Sequence, residues 1–252
     1  MFSMHRFALS IALLALPAAS SAAARDATPL PKGDCASPAP MTDLRHCDFT
    51  GAMLMGADLH GANLEGVKFS KARMNGCDLT GAKLAKANLR WANLEGCKLG
   101  RASLAGADML HVKLTSVQAD KADFTGAFMF GAILSRAQGE NAVFRGAHLR
   151  DVEIDEARLP GADFSRTMMF RGFIMGSDLK GADFSAANLT GLSIEESDLT
   201  GAKFGKANMA GVNLVDTKLG HADFTGANLE NATLDGCETE GAKGLPASLA
   251  KK

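Results

Sequence analysis

Tyrosine is absent from the 252 residues, tryptophan occurs once, and acidic side chains outnumber basic ones by a single charge. A packed globular core of this length draws on more aromatic bulk than that. Near neutrality removes the global field that draws a protein to nucleic acid or to an acidic membrane, so no nucleic-acid partner is expected. No apolar run approaches the ~20 residues that a transmembrane helix needs. The nucleophile elbow, the P-loop and the dinucleotide fingerprint are all missing, as is any Cys/His spacing of a zinc site. Glycine, by contrast, is abundant at 27, a composition that points to repetition.

The first 24 residues stand apart. Arg6 supplies a short positive region, Phe7 to Leu16 form an apolar run, Pro17 breaks it, and Ala22-Ala23-Ala24 has the small-x-small form that a signal peptidase accepts. Residues 1–24 are expected to be a cleavable signal peptide and the mature protein to be periplasmic or secreted, an oxidising setting for its thiols.

From 42 to 241 the chain keeps a period of five without an insertion, forty repeats in all. The central position i is large and apolar from Leu44 and Phe49 to Leu234, except at Ala119, Gly139 and Thr239. Position i−2 is small almost throughout, as at Ala52, Ala57 and Ala62, with Leu192 the large exception. Position i+2 is Gly in 20 of the repeats, and i−1 is Asp or Asn in 18. Residues two apart share a face of a strand, so i−2 and i point inward together. The next inward residue lies three further on, and the odd residue turns the chain. Glycine at i+2 suits a corner needing positive φ, and Leu159-Pro160-Gly161 has the order of a type II turn. Asp or Asn at i−1 can accept bonds from nearby amides.

The phenylalanines count the sides. Phe124, Phe144, Phe164, Phe184, Phe204 and Phe224 fall on one grid of 20 residues, so four repeats close one coil. Two hundred residues then make about ten coils, roughly 48 Å long at strand spacing.

Tandem copies such as Ala57-Asp58-Leu59-His60-Gly61 and Ala62-Asn63-Leu64-Glu65-Gly66 resemble the pentapeptide-repeat family. The resemblance implies an all-β fold, a right-handed quadrilateral parallel β-helix with i and i−2 inside. It implies no single function. On this frame 25–41, rich in proline, is a lead-in and N-terminal cap, 42–241 is the solenoid, and 242–252 is a C-terminal cap or tail.

Cys47, Cys77, Cys97 and Cys237 occupy inward i−2 positions, and Cys35 lies in the lead-in. A Cys35–Cys47 disulfide would pin the N-terminal cap. Cys77 and Cys97 share a column one coil apart, within disulfide reach, but are read as two buried thiols replacing alanine. Gly172 and Leu192 are neighbours in another column, where a missing side chain and an oversized one can share volume. At Ala119 and Gly139 the opposite Met109 and Met129 are expected to fill the gap, the rival being a dent that admits a ligand.

No catalytic, metal or cofactor residue is nominated. Asp residues at i−1 are explained by turns, the histidines 46, 60, 111, 148 and 221 read as scattered surface residues, and no loop projects between 42 and 241 to build a cleft. The chain therefore reads as a non-enzymatic structural or protein-binding scaffold without a small-molecule substrate. The alternative, a DNA-mimicking inhibitor or protector of type II topoisomerase, belongs to the resemblance. It asks for a strongly acidic surface and a cytoplasmic address. One outward feature stands out: Leu110, Phe128, Phe130, Ile133, Met168, Phe170, Phe173 and Met175 should face water yet are apolar. They fall on two adjacent faces, interrupted in one coil by His148, Arg150, Glu153 and Asp155. Clustered exposed aromatics mark a contact surface, for a protein partner or a second copy of the chain.

Overall fold

The amide of each central residue points along the long axis of the molecule at a carbonyl of the next coil. Leu59 donates to the carbonyl of Asp78 at 2.8 Å, and Asp78 donates back to that of Ala57 at 2.9 Å. A computed structural model describes residues 29–249. The expected signal peptide, 25–28 of the lead-in and 250–252 of the tail lie outside the described residues. The described chain is a parallel β-solenoid without helix. Every inward residue from Leu59 to Phe224 is buried, so the core is a continuous column along the axis.

Bridges run at a constant step of 20 residues, from Asp43↔Asn63 to Asp223↔Lys243. Regular strands are rarer than the repeat suggests. They occur on one side only, as β1 (Glu153–Asp155), β2 (Phe173–Met175), β3 (Ser193–Glu195), β4 (Asn213–Val215) and β5 (Thr233–Asp235), stacked in that order. This strand-bearing stack amounts to about four turns, fewer than the ten coils expected from the repeat count; elsewhere isolated bridges carry the same register.

The reason is at the corners. Most repeats close a four-residue turn by donating from i+3 to the carbonyl of i, as Ala52 does to Phe49 at 3.0 Å. After β1 and β2 a neighbouring hydroxyl takes over: Ala157 N–H donates to Ser177 Oγ at 3.0 Å and Ser177 N–H to Ser197 Oγ at 3.1 Å. Ser177, Ser197 and Thr217 hydroxyls in turn donate to the carbonyls of Met175, Glu195 and Val215 at 2.8–2.9 Å. With the corner opened, the preceding three residues extend into a strand. Ser177, Ser197 and Thr217 are buried, and their hydrogen bonds remove the cost of placing hydroxyls there.

Corner geometry is more uniform than glycine content. Every i+2 residue from Gly51 to Gly241 has a positive φ, whether or not it is glycine. None of the non-glycine corners is Val, Ile or Thr, the residues least able to adopt that conformation.

Six phenylalanines stack along one side, with ring centroids 4.7–5.2 Å apart and planes within 6° of parallel. Phe49 and Phe69 make a second, shorter stack at 5.2 Å. A Cβ on Gly172 would meet Leu192 Cδ1 at 3.2 Å and Val152 Cγ1 at 3.0 Å, so both neighbours fill its space. A Cβ on Gly139 would meet Leu159 Cδ2 at 3.1 Å, the Ala119 carbonyl at 3.2 Å and Ala142 Cβ at 3.3 Å, so its own column closes on it. Leu159 follows in the same column and reaches back one coil. Ala119 beside it is buried.

At the N-terminal end Pro31 and Gly33 pair with Asp43 through backbone bonds of 2.8 and 3.0 Å. Cys35 and Cys47 form a disulfide with a Cα separation of 5.5 Å. Cys77 and Cys97, read above as thiols, are paired as a disulfide across adjacent coils, their Cα atoms 4.6 Å apart. At the other end Ala242, Leu245 and Leu249 pack, partly buried, against the core.

Substitutions at two positions test this architecture. Phe164→Ala should cost about 3–5 kcal/mol by leaving a cavity between two stacked rings, read as a fall in the denaturant midpoint. An unchanged midpoint would contradict the stack. Ala186 is an exposed corner with φ of 57°, so nothing but backbone is at stake there. Ala186→Gly should raise stability by about 0.5–1 kcal/mol and Ala186→Val should lower it by about 1 kcal/mol or more. The reverse order would show that the corner is unstrained.

Candidate functional site

Side chains that follow one another at 20-residue intervals lie above one another on the outside as well as the inside. On one face this sets Asp108, Phe128, His148 and Met168 in one ladder of bridges, with Leu110, Phe130, Arg150 and Phe170 two residues along. Between the two columns runs a groove of about 400 Å³ lined by Leu110, Phe128, Phe130, Met168 and Phe170, with Arg90, Asp108, His148 and Arg150 completing it. Five of the eight apolar residues singled out from the sequence thus meet in one place. Phe128 is 51% exposed and Met168 37%; Leu110, Phe130 and Phe170 are half-buried.

The remaining three sit on the strand-bearing side. Ile133 pairs with Glu153, and Glu153 with Phe173. Met175 is flanked by Asp155 and Glu195. There the acidic residues do separate the apolar ones, and the half-buried Ile133, Phe173 and Met175 form no groove among the hollows described.

The polar residues of the groove do not interrupt it. His148 stacks on Phe128 with ring centroids 4.8 Å apart. The Arg150 guanidinium lies over Phe130 at 4.4 Å and over Phe170 at 5.8 Å. A cation between two aromatic faces is held by their quadrupoles, so Arg150 continues the surface that the sequence reading broke at this coil. The single tryptophan, Trp91, also belongs here. It is 55% exposed, stacks on His111 at 4.2 Å, and His111 meets the edge of Phe130 at 5.2 Å. Sequence reasoning passed over Trp91 because it occupies a corner, and over His111 and His148 because they appeared scattered. The 20-residue spacing of Trp91 from His111, and of Phe128 from His148, was the available signal.

Charge around the groove is paired. Arg90 meets Asp108 at 3.0 Å, and Asp151 accepts from Arg171 at 3.0 Å while Arg150 lies 3.4 Å from it. The Arg171 hydrogen bond, with Arg150 adding to it, holds the Asp151 carboxyl below its ordinary range despite some desolvation. Asp223, far from the groove, is lowered by the Thr225 hydroxyl and amide. A larger hollow of about 760 Å³ at the last coil is lined by Thr200, His221, Cys237, Glu238, Thr239, Glu240 and two glycines. It lacks the aromatic anchors of the first. The described residues include no helix long and apolar enough to cross a membrane.

A four-sided stack of five-residue repeats with an aromatic-lined outer groove defines a repeat scaffold. The model of the pentapeptide repeats matches in eight copies over 42–70, 62–101, 97–136, 140–166, 176–205 and 207–242, and the chain belongs to that family. Among solved structures it is similar to HetL, a pentapeptide repeat protein involved in heterocyst differentiation regulation from the cyanobacterium Nostoc sp. strain PCC 7120. Identity is 29% over 79% of this chain and 88% of that one, with a TM-score of 0.59. A pentapeptide repeat protein of the Arabidopsis thaliana thylakoid lumen is 30% identical over 41% of this chain and 69% of its own, with a TM-score of 0.29. QnrB1, a plasmid-mediated fluoroquinolone resistance protein, is 16% identical over 82% of this chain and 89% of its own, with a TM-score of 0.35. No curated protein sequence matches.

The lowered carboxylates set a pH dependence. A carboxyl whose folded pKa lies below its unfolded value contributes stability above that value and loses it as pH falls through the folded one. The ordinary value here is 3.8. The thermal midpoint should therefore hold steady down to about pH 4 and decline below it. Arg171→Met should lower the midpoint at neutral pH and flatten part of the decline, as a pH series of melting curves would record.

Proposed function

We propose that this chain is a non-enzymatic scaffold, exported from the cytoplasm, that binds a protein partner or a second copy of itself through the aromatic groove. The observation that carries the reading is the stacked surface of Phe128, Phe130, Arg150 and Phe170. Aromatic residues, Met and Arg are the types enriched where proteins meet, and large rigid rings at a groove serve as anchors. The apolar run Phe7–Leu16 followed by Ala22-Ala23-Ala24 supports export. Against catalysis stands the lack of projecting loops over 42–241 and of a carboxylate pair in the groove, whose one lining acid, Asp108, is bonded to Arg90.

DNA mimicry is less well supported, since it needs a run of uncompensated acids. Here carboxylates are met by cations from a neighbouring coil: Asp48 by Lys68 at 3.3 Å, Asp163 by Arg145 at 2.6 Å, Asp198 by Lys180 at 2.9 Å.

The groove is tested by Phe128→Ser with Phe170→Ser. The double variant should keep the melting temperature of the parent within a few degrees and lose its partner in affinity capture from the native envelope, or its dimer in sedimentation. Association that survives both changes would eliminate the groove as the contact. Fractionation of cells expressing the full chain should find the mature protein outside the cytoplasm, shortened by about 24 residues. A full-length cytoplasmic product would remove the exported reading.

A further inference from the structure

Three side chains with metal-ligating atoms converge where the lead-in joins the first coil. The sulfurs of Cys35 and Cys47 and a ring nitrogen of His46 all lie within 4.8 Å of one another, and His46 Nε2 is 3.8 Å from Cys47 Sγ. The placement departs from the repeat. Among the described corners from Met41 to Gly241, His46 alone lacks the positive φ that all the others adopt. Its ring is exposed and lies beside the sulfur of its neighbour, while Cys47 points inward and is 5% exposed. Cys35 comes from outside the repeat, so the group joins two parts of the chain.

As a disulfide, Cys35 and Cys47 tie the lead-in to the solenoid and have no electrons to spare for a cation. Reduction by a dithiol transfers two electrons and two protons to the pair. It yields two thiols and the disulfide of the reductant. A divalent d¹⁰ cation then displaces both thiol protons to the buffer and accepts the imidazole lone pair. Two thiolates and an imidazole are the donors that select Zn(II) and Cu(I) over hard cations. Around a tetrahedral zinc, bonds of about 2.3 Å to sulfur and 2.0 Å to nitrogen put sulfur and nitrogen roughly 3.5 Å apart and the two sulfurs roughly 3.8 Å apart. The His46–Cys47 separation of 3.8 Å is close to this, the Cys35 sulfur and the His46 nitrogen, within 4.8 Å of each other, draw together as the cation binds, and the sulfurs part as their bond breaks. We propose that Cys35, His46 and Cys47 form a redox-exchangeable clasp, a disulfide when oxidised and a three-ligand Zn(II) site when reduced, with the fourth position left to water. The lead-in is then held to the first coil in either redox state.

The test uses the mature chain carrying Cys77→Ala, Cys97→Ala and Cys237→Ala, changes that restore the commonest i−2 residue. Zn(II) is titrated against a chromophoric chelator without oxygen. The reduced protein should take up one equivalent, and the oxidised protein none. Cys35→Ser should abolish uptake, and His46→Ala should weaken it at least tenfold. Limited proteolysis supplies a second readout. Cleavage within 29–41 should be slow for the disulfide and for the reduced, zinc-loaded form, and fast for the reduced form without zinc. The same comparison of parent and Cys35→Ser in the otherwise wild-type chain guards against misfolding of the triple variant. No uptake by the reduced parent, uptake unchanged by Cys35→Ser or His46→Ala, or lead-in cleavage indifferent to zinc would each overturn the proposal.

Discussion

Hydrogen bonds between successive coils point along the axis of this molecule, and they lock each residue over the one 20 positions earlier. A slip of one residue would exchange inside for outside at every repeat. Because the step is constant, like falls on like. Phenylalanine rings stack in the core, hydroxyls relay bonds along the strand-bearing corner, and lysines and arginines meet aspartates of the next coil. The outer groove arises from the same rule, with two aromatic columns side by side and a guanidinium one step between rings.

Much of this was legible in the sequence because position on the grid follows from number alone. The inward column of Phe124 to Phe224, the small residues at i−2 and the four-sided closure need nothing beyond counting. What was not legible depends on how far a side chain reaches between coils. Leu159 closes on the space beside Gly139, because its branched end extends back along its own column. Ser177, Ser197 and Thr217 resemble any other small residue in the list of i−2 positions. The hydroxyls of Ser177 and Ser197, placed against the amides of Ala157 and Ser177, open the corners that follow β1 and β2.

The groove shows the same division. Its apolar members could be counted onto two faces, but the grid does not say whether His148 and Arg150 turn away from the rings or lie on them. Rotamer and cation–π attraction decide that, and they convert an apparent gap into a continuous surface. The corners teach a complementary lesson. Glycine marks half of them, yet all from Gly51 onward share one backbone conformation. The more general mark is negative, the exclusion of side chains branched at Cβ from the turn.

The absence of tyrosine and the position of Trp91 have a spectroscopic consequence. The molecule carries one strong fluorophore, and it stands outside the core, half in solvent, leaning on an imidazole at the margin of the groove. Emission from the intact protein therefore reports on that margin and on what covers it. The collapse of the phenylalanine column, the event that defines unfolding, takes place out of its sight.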